Sequence, residues 1–372
     1  MKVDMTHRYK ADPQESYTLP SHFYTNEDIL NKEKEEIFYK NWIFAGHVEK
    51  VDAPGKYFTF QIFDQNIMIV RGKDHIVRGF YNVCPHRGHE LVEGEGKKSV
   101  ISCPYHAWTF HLDGQFNQGR AVDQIKNFEQ KEACLTPVNI EVFLNFIFVN
   151  LDPNARPIRE MMPELEETIR TKIPEVENLT LAKRIRYDIK GNWKNVIDNY
   201  LECHHCQVAH PEFIKQIDMN SYEISPKEYY IAQTSRGKGS CSIPGELNMS
   251  SEETYLSLWL WPTLALDIMP GEPGIIIMYI EPVGPEESIE YLEFYFMSKE
   301  PTEEGWESIK YQDKVLTPED ISLVESVQRG LRSKGYTDGR YVIDKQKSSI
   351  SEHGVHHFHG LVLNALEGVR TS

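Results

Sequence analysis

Two short loops constrain this chain more than any other feature, Cys84-Pro85-His86 and Cys103-Pro104-Tyr105-His106. Each offers one thiolate and one imidazole, and sixteen residues separate His86 from Cys103. Four ligands of this softness on two facing loops form a metal site. The intervening chain reads as strands and turns: Val100-Ile101-Ser102 runs into the second loop, and Trp108-Thr109-Phe110-His111-Leu112 leaves it toward a turn at Asp113-Gly114.

Two centres accept two Cys and two His: a structural zinc, or a Rieske 2Fe-2S cluster in which two His replace two Cys on one iron. Zinc sites of this composition pair Cys with Cys and His with His. Here each loop mixes them, C-x-H then C-x2-H. Facing mixed loops let both cysteines reach one iron and both histidines the other, which favours the cluster. A zinc staple is the alternative and would leave the protein colourless.

The chain has 372 residues, 40% of them apolar, enough for one large or two moderate domains with real cores. Forty basic against fifty-six acidic residues leave a formal charge of -16, which argues against nucleic acid and against an anionic membrane. A small cation or a basic protein is easier to accommodate, although an acidic surface is also ordinary. Met1-Lys2-Val3-Asp4-Met5 lacks an apolar signal core, and stretches such as Val142 to Leu151 fall short of the roughly 18 residues a membrane span needs. The expected location is cytoplasmic. Six cysteines, at 84, 103, 134, 203, 206 and 241, do not force disulfides in a chain this long, and Cys134 and Cys241 read as packed thiols.

In chain order, Thr25-Asn26-Glu27-Asp28 caps a helix whose stripe is Ile29, Leu30, Ile37, Phe38 and Trp42. From Lys56 the period changes to two, with strands at Tyr57 to Ile62 and Ile67 to Val70 around a turn at Asp64-Gln65-Asn66, then Ile76 to Val83. Val142 to Leu151 closes this all-β unit, and Pro153 and Pro157 mark a linker. Beyond it come a helix over Met161 to Ile173, a strand over Ala182 to Ile189, and strands over Tyr255 to Asp267, Ile275 to Val283 and Ile289 to Met297. A helix starts at Thr317 as cap with Pro318 in its first turn. The expected fold is α+β: an N-terminal helical segment (1–42) on the body, an all-β cluster domain (43–155), and an antiparallel sheet gripped by long helices (156–372).

A second dense stretch runs from Asn192 to Pro211 and contains Glu202, His205 and His210. Five residues of ideal helix turn about 500°, so the two imidazoles diverge by about 140° unless the helix loosens or ends between them. Pro211 makes an ending plausible. Two His and one carboxylate with open positions is the facial arrangement of non-heme Fe(II) oxygenases, but the stretch supplies no unambiguous third ligand. Asp320, read alone, is an acid favoured near a helix N-terminus. Glu319 and Glu325 are its neighbours in competition for a ligand role.

Cys84-Pro85-His86-Arg87-Gly88 and Cys103-Pro104-Tyr105-His106-Ala107-Trp108 resemble the cluster loops of Rieske non-heme iron oxygenases, without the extra loop cysteines of respiratory Rieske proteins. The resemblance runs through Asp198-Asn199-Tyr200-Leu201-Glu202-Cys203 to Leu323 to Leu331 and Ser351-Glu352-His353-Gly354, nearly the whole chain. It implies a cluster on Cys84, His86, Cys103 and His106, and a mononuclear Fe(II) on His205, His210 and Asp320. It also implies a homotrimer, in which Glu202 bridges the mononuclear iron's histidine to a cluster histidine of the neighbouring subunit, the counterpart of His106. Most of the family carries Asp where Glu202 stands, and Glu there resembles the subgroup that oxidises carnitine and betaines.

That subgroup implies a two-component monooxygenase that hydroxylates a C–H bond of a quaternary ammonium substrate with O2. The expected reaction converts carnitine to trimethylamine and malic semialdehyde, with N-demethylation of glycine betaine or proline betaine as the alternative. The chain has no G-x-G-x-x-G after a strand and no further Cys-rich cluster motif, so NAD(P)H is expected to be used by a separate flavin and iron-sulfur reductase. From a different class, a bare Rieske electron carrier would need only about 100 residues around its cluster and would leave the Glu202 to His210 stretch without a purpose.

Three other patterns compete with these readings. Cys203-x2-Cys206 has the spacing of a redox or zinc motif, without a partner pair. His353, His356, His357 and His359 invite a metal, but a packed terminal segment explains them as well. Tyr255, Trp259 and Trp261 alternate onto one side of a strand as candidate walls of a cation cage, or as core.

Overall fold

Strands with apolar side chains on alternate positions need a second layer to bury them, and the chain supplies two such layers in separate places. The computed structural model describes residues 3–238, 254–268 and 271–368. It forms two units: Phe38–Glu160, and the N-terminal segment through Ile37 together with the chain from Met161 onward.

In the first unit a seven-stranded antiparallel sheet runs, in spatial order, Ile43–His47, Phe146–Asn150, Pro137–Phe143, Val77–Tyr81, Gln65–Arg71, Lys56–Ile62 and Glu95–Lys97. A small three-stranded sheet of Ile101–Ser102, Thr109–Phe110 and Phe116–Gln118 carries the second cysteine loop. Met68, Val70, Trp108, Phe110 and Phe116 belong to the core beneath both loops. Two expectations need correction. The stretch from Val142 to Leu151 is not one strand, because a hairpin turns at Leu144-Asn145, both at positive φ (51° and 66°). Asn tolerates that conformation, but leucine there hides the turn from a sequence reading. The earlier hairpin turns at Phe63-Asp64, since Ile62 pairs with Gln65.

The second unit holds another seven-stranded antiparallel sheet. Strands Glu223–Pro226, Tyr230–Arg236, Thr254–Leu260, Leu264–Ile268, Gly274–Gly284 and Glu287–Phe296 lie side by side in chain order, and Thr180–Ile189 adds beside the last. The expected strand from Tyr255 to Asp267 is therefore a hairpin. Helices Trp193–Tyr200, Thr317–Leu331 and His353–Glu367 complete a helix-grip α+β arrangement. The helix expected over Met161 to Ile173 is two pieces, Ile158–Met161 and Leu165–Lys172, with Pro163 in the gap.

Thr317 is not a cap. Helix Glu303–Tyr311 continues through a π-helical stretch, Gln312–Leu316, into Thr317–Leu331, and the side chain that caps the run is Thr302, accepting from the Gly305 N–H. A π-bulge rotates the helical turns on its C-terminal side relative to those on its N-terminal side. Gln328 fastens the last piece: its Oε1 accepts from the Asn192 N–H at 2.8 Å and from Asn195 Nδ2 at 2.6 Å.

The N-terminal helix Glu27–Glu33, capped by Asn26 through the Asp28 N–H, is tied into this unit. Glu33 accepts from Lys194 Nζ at 2.5 Å and from Trp193 Nε1 at 2.8 Å, with both charged side chains fully buried. Burial raises the Glu33 carboxyl and lowers the Lys194 ammonium from their ordinary values, against their mutual attraction. Removing one member leaves the other charge uncompensated in the core. Glu33→Ala is expected to destabilise this unit by roughly 3–5 kcal/mol in chemical denaturation, whereas Glu35→Ala, on an exposed position, should cost little.

Candidate active site: two metal-ligand constellations

The two cysteine loops are built alike. In the first, the Cys84 N–H donates to the His89 carbonyl (2.8 Å) and the Gly88 N–H to the Cys84 carbonyl (2.9 Å). In the second, the Cys103 N–H donates to the Trp108 carbonyl (2.8 Å) and the Ala107 N–H to the Cys103 carbonyl (3.1 Å). Gly88 and Ala107 occupy equivalent positions at φ 70° and 58°. Buried Asn82 clamps the first loop, accepting from the Leu91 and Val92 N–H groups and donating to the Val92 carbonyl.

Cys84 and Cys103 are buried free thiols, and burial pushes the Cys84 thiol up. The rings of His86 and His106 lie 4.7 Å apart, and His86 stacks on Trp108 at 4.5 Å and 7°. Their buried Nδ1 atoms have no hydrogen-bond partner among the described residues. Buried ring nitrogens are costly to leave unpaired, and two of them beside two buried thiols suit a cluster that takes all four as ligands.

The second constellation begins on helix Trp193–Tyr200. The chain then loosens: His205 precedes a single turn of helix, Cys206–Ala209, and His210 follows it with φ -119° and ψ 66°. The helix does end between the histidines, and their Nε2 atoms come within 3.1 Å. Asp320, on the first turn after the π-bulge, places Oδ1 3.0 Å from His210 Nε2 and 3.4 Å from His205 Nε2. Each imidazole is held from behind by a carboxylate. Glu202 Oε1 lies 2.5 Å from His205 Nδ1, and Glu319 Oε2 lies 2.8 Å from His210 Nδ1. Glu325 turns elsewhere, accepting from the Lys190 N–H.

The carboxylates of this cluster favour protonated imidazoles. Burial disfavours a charged His205, but hydrogen bonds with Asp320 and Glu202 outweigh it and raise the imidazole to about 10. Burial would likewise raise Asp320, yet hydrogen bonds to the two imidazoles hold its carboxyl below the ordinary range. Two nitrogens and a carboxylate converging on one point, each braced from outside, fit a divalent iron with open positions.

Cys206 also lies in this group, within 4.8 Å of the imidazole nitrogens. It is joined to Cys203 in a disulfide, so its sulfur is not a free ligand, and the expectation of no forced disulfide gives way here. His204 is exposed, 3.6 Å from Glu352. The terminal histidines each take a different partner: His353 the Ile224 carbonyl, His356 the Lys10 carbonyl, His357 the Glu228 carbonyl and His359 the Asp198 carboxylate. They pack rather than converge. Cys134 is a free, partly buried thiol, and Cys241 lies outside the described residues.

A cavity of about 90 Å³ opens beside His205, His210 and Asp320, several times what one water requires. Of the three aromatic residues expected as cage walls only Tyr255 lines it. Trp259 and Trp261 are buried against Phe358 of the last helix. Tyr200, Phe213 and Tyr222 are the lining aromatics that sequence reasoning missed. Tyr200 was legible as a neighbour of Glu202, but Phe213 and Tyr222 carried no periodic signal.

Residues 41–129 match the Rieske [2Fe-2S] domain, and residues 176–368 match the ring hydroxylating alpha subunit (catalytic domain). The chain is 40% identical to the carnitine monooxygenase oxygenase subunit of Escherichia coli K12, over 95% of this chain and 94% of that one. It is 30% identical to the chloroplastic choline monooxygenase of Spinacia oleracea, over 93% and 78%. The structure of the quaternary ammonium Rieske monooxygenase CntA in complex with substrate L-carnitine superposes with a TM-score of 0.86 at 37% identity, covering 98% of this chain and 99% of that one. Naphthalene 1,2-dioxygenase from Rhodococcus, at 18% identity and a TM-score of 0.77 over 93% and 94%, shares the fold. The chain is therefore an oxygenase of the Rieske ring-hydroxylating alpha-subunit family, an enzyme of a 2Fe-2S cluster and a mononuclear iron.

Proposed function

We propose that this chain is the oxygenase component of a two-component monooxygenase that hydroxylates carnitine, releasing trimethylamine and malic semialdehyde. The observation that carries the reading is the cavity beside His205, His210 and Asp320. Its described lining includes Asp267, Glu290 and four aromatic rings, and no Lys or Arg. Such a site suits a trimethylammonium group, a cation that offers no hydrogen-bond donor. Relatives named for carnitine and choline oxidation at 40% and 30% identity agree with it.

In this reading Cys84, His86, Cys103 and His106 hold the cluster, and His205, His210 and Asp320 hold the iron. When bound, the cluster supplies single electrons and the iron a site for dioxygen chemistry. The protein's part is positional. Glu202 and Glu319 keep protons on the Nδ1 atoms of His205 and His210, which leaves both Nε2 atoms free as donors of a lone pair. Glu202 also accepts from the His205 N–H at 3.2 Å, so it fixes backbone and ring together.

A second hollow, of about 420 Å³ and lined in part by Tyr336, Tyr341 and Glu352, borders Glu202 and His205. In the homotrimer we propose, this is where a neighbouring subunit's cluster domain would approach Glu202. Electrons come from NAD(P)H through a flavin and iron-sulfur reductase, because the chain has no dinucleotide fingerprint. The compartment we propose is the cytoplasm. No described helix is long and apolar enough to cross a membrane.

Oxygen uptake by the enzyme with its reductase should follow carnitine and γ-butyrobetaine over glycine betaine, proline betaine and an aromatic acid; turnover of the aromatic acid alone would defeat the cation reading. Glu202→Ala should retain both metal centres and lose coupled turnover by about 10–100-fold or more, and normal turnover would remove the route through that residue. Metal analysis should give three irons per chain, falling to two in Asp320→Ala with the visible spectrum of the cluster unchanged. A count of two in the unaltered protein would leave only an electron carrier.

A further inference from the structure

Two carboxylates of one sheet, Asp267 and Glu290, line the cavity. Asp267 is opposite Ile276, which is opposite Phe294, whereas Glu290 is opposite Ile280. The two acids are thus two strands and four residues apart, roughly 16 Å on an untwisted sheet. Their surroundings differ. Near Glu290 the strands bring Ile189 and Leu292 to the cavity. Glu290 itself is 4% exposed, has no hydrogen bond or ion pair among the described residues, and is pushed up to about 8 by burial and by Asp320. Burial raises the carboxyls of both acids, and what separates them is their neighbours.

Asp267 sits among aromatic rings. Tyr200 and Tyr255 donate their hydroxyls to its Oδ1, at 2.7 and 3.2 Å. Burial, and the charge of Asp267, push both phenols well up, so they stay protonated donors. With their hydroxyls committed to the carboxylate, the ring of Tyr255 packs edge-on to Phe213 at 5.9 Å. Tyr222, whose hydroxyl donates to Gln233 at 2.9 Å, completes the wall. Aromatic faces around a fixed carboxylate are what a trimethylammonium group can use, since it attracts π-faces and negative charge but donates no hydrogen bond.

We propose that Asp267, walled by Tyr255, Phe213 and Tyr222, is the carboxylate against which the substrate's trimethylammonium group is held, and that it determines the preference for a cation over a neutral molecule of the same shape. This rests on the proposed quaternary ammonium substrate. It places the cation beside Asp267 and directs the rest of the substrate toward Glu290, with no basic side chain among the described lining to receive a carboxylate.

The test is anaerobic calorimetric binding of γ-butyrobetaine and of 5,5-dimethylhexanoate, its isostere with carbon in place of the charged nitrogen, to the iron-loaded enzyme. The unaltered protein should prefer the cation by at least about tenfold. Asp267→Asn should lose most of that preference by weakening the cation and not the isostere, with iron content and cluster absorbance retained. Tyr255→Leu provides a second reading if the Asn variant does not hold its metals, and should reduce the preference in the same direction. An unaltered preference in a metal-loaded variant overturns the assignment of Asp267 and leaves the proposed function standing. Failure of the unaltered enzyme to bind any quaternary ammonium compound overturns both.

Discussion

Three polar atoms are held at one point: His205 Nε2, His210 Nε2 and Asp320 Oδ1, all within 3.4 Å. Two departures from regular helix make this meeting possible. The helical turn after His205 stops at Ala209, which swings His210 back toward His205. The π-bulge at Gln312–Leu316 resets the phase of the helix so that Asp320, Ile321 and Val324 face the cavity. Gln328 then pins that helix to the start of helix Trp193–Tyr200.

The braces behind the two imidazoles matter as much as the imidazoles. Glu202 and Glu319 each hold a ring nitrogen that does not face the centre, which sets tautomer and orientation together. Sequence alone offers Glu319 only as a rival ligand, because it stands beside Asp320. Helix geometry separates the two roles: successive residues point about 100° apart, so one carboxylate faces the centre while its neighbour reaches the far side of His210. The cluster loops use a different device, a shared backbone turn with one left-handed residue each, glycine in one loop and alanine in the other.

Reading local pattern worked where a signal is contained in adjacent residues, and failed where it depends on what lies across the sheet. The alternation that made Tyr255, Trp259 and Trp261 look equivalent is real for the first two, but the last helix lays Phe358 over the tryptophans and leaves only Tyr255 at the cavity. Likewise four histidines within seven residues suggest convergence, yet on the helix they point to four partners on different segments. A hairpin at Leu144-Asn145 and a bulge before Thr317 were missed because each lies within a run whose composition continues unchanged, whereas the break at Pro163 was legible in the proline itself.

By itself the sequence determined the ligand types and their grouping: two mixed Cys/His loops, a pair of histidines after an acid, and alternating strands around them, because ligand chemistry and side-chain period are properties of neighbouring residues. Only the tertiary structure decided which carboxylate stands beside His205 and His210, which aromatic rings face the cavity, and that Asp267 and Glu290 both line it. Those are distances between segments remote in the chain, set by sheet register and helix packing, and no local pattern contains them.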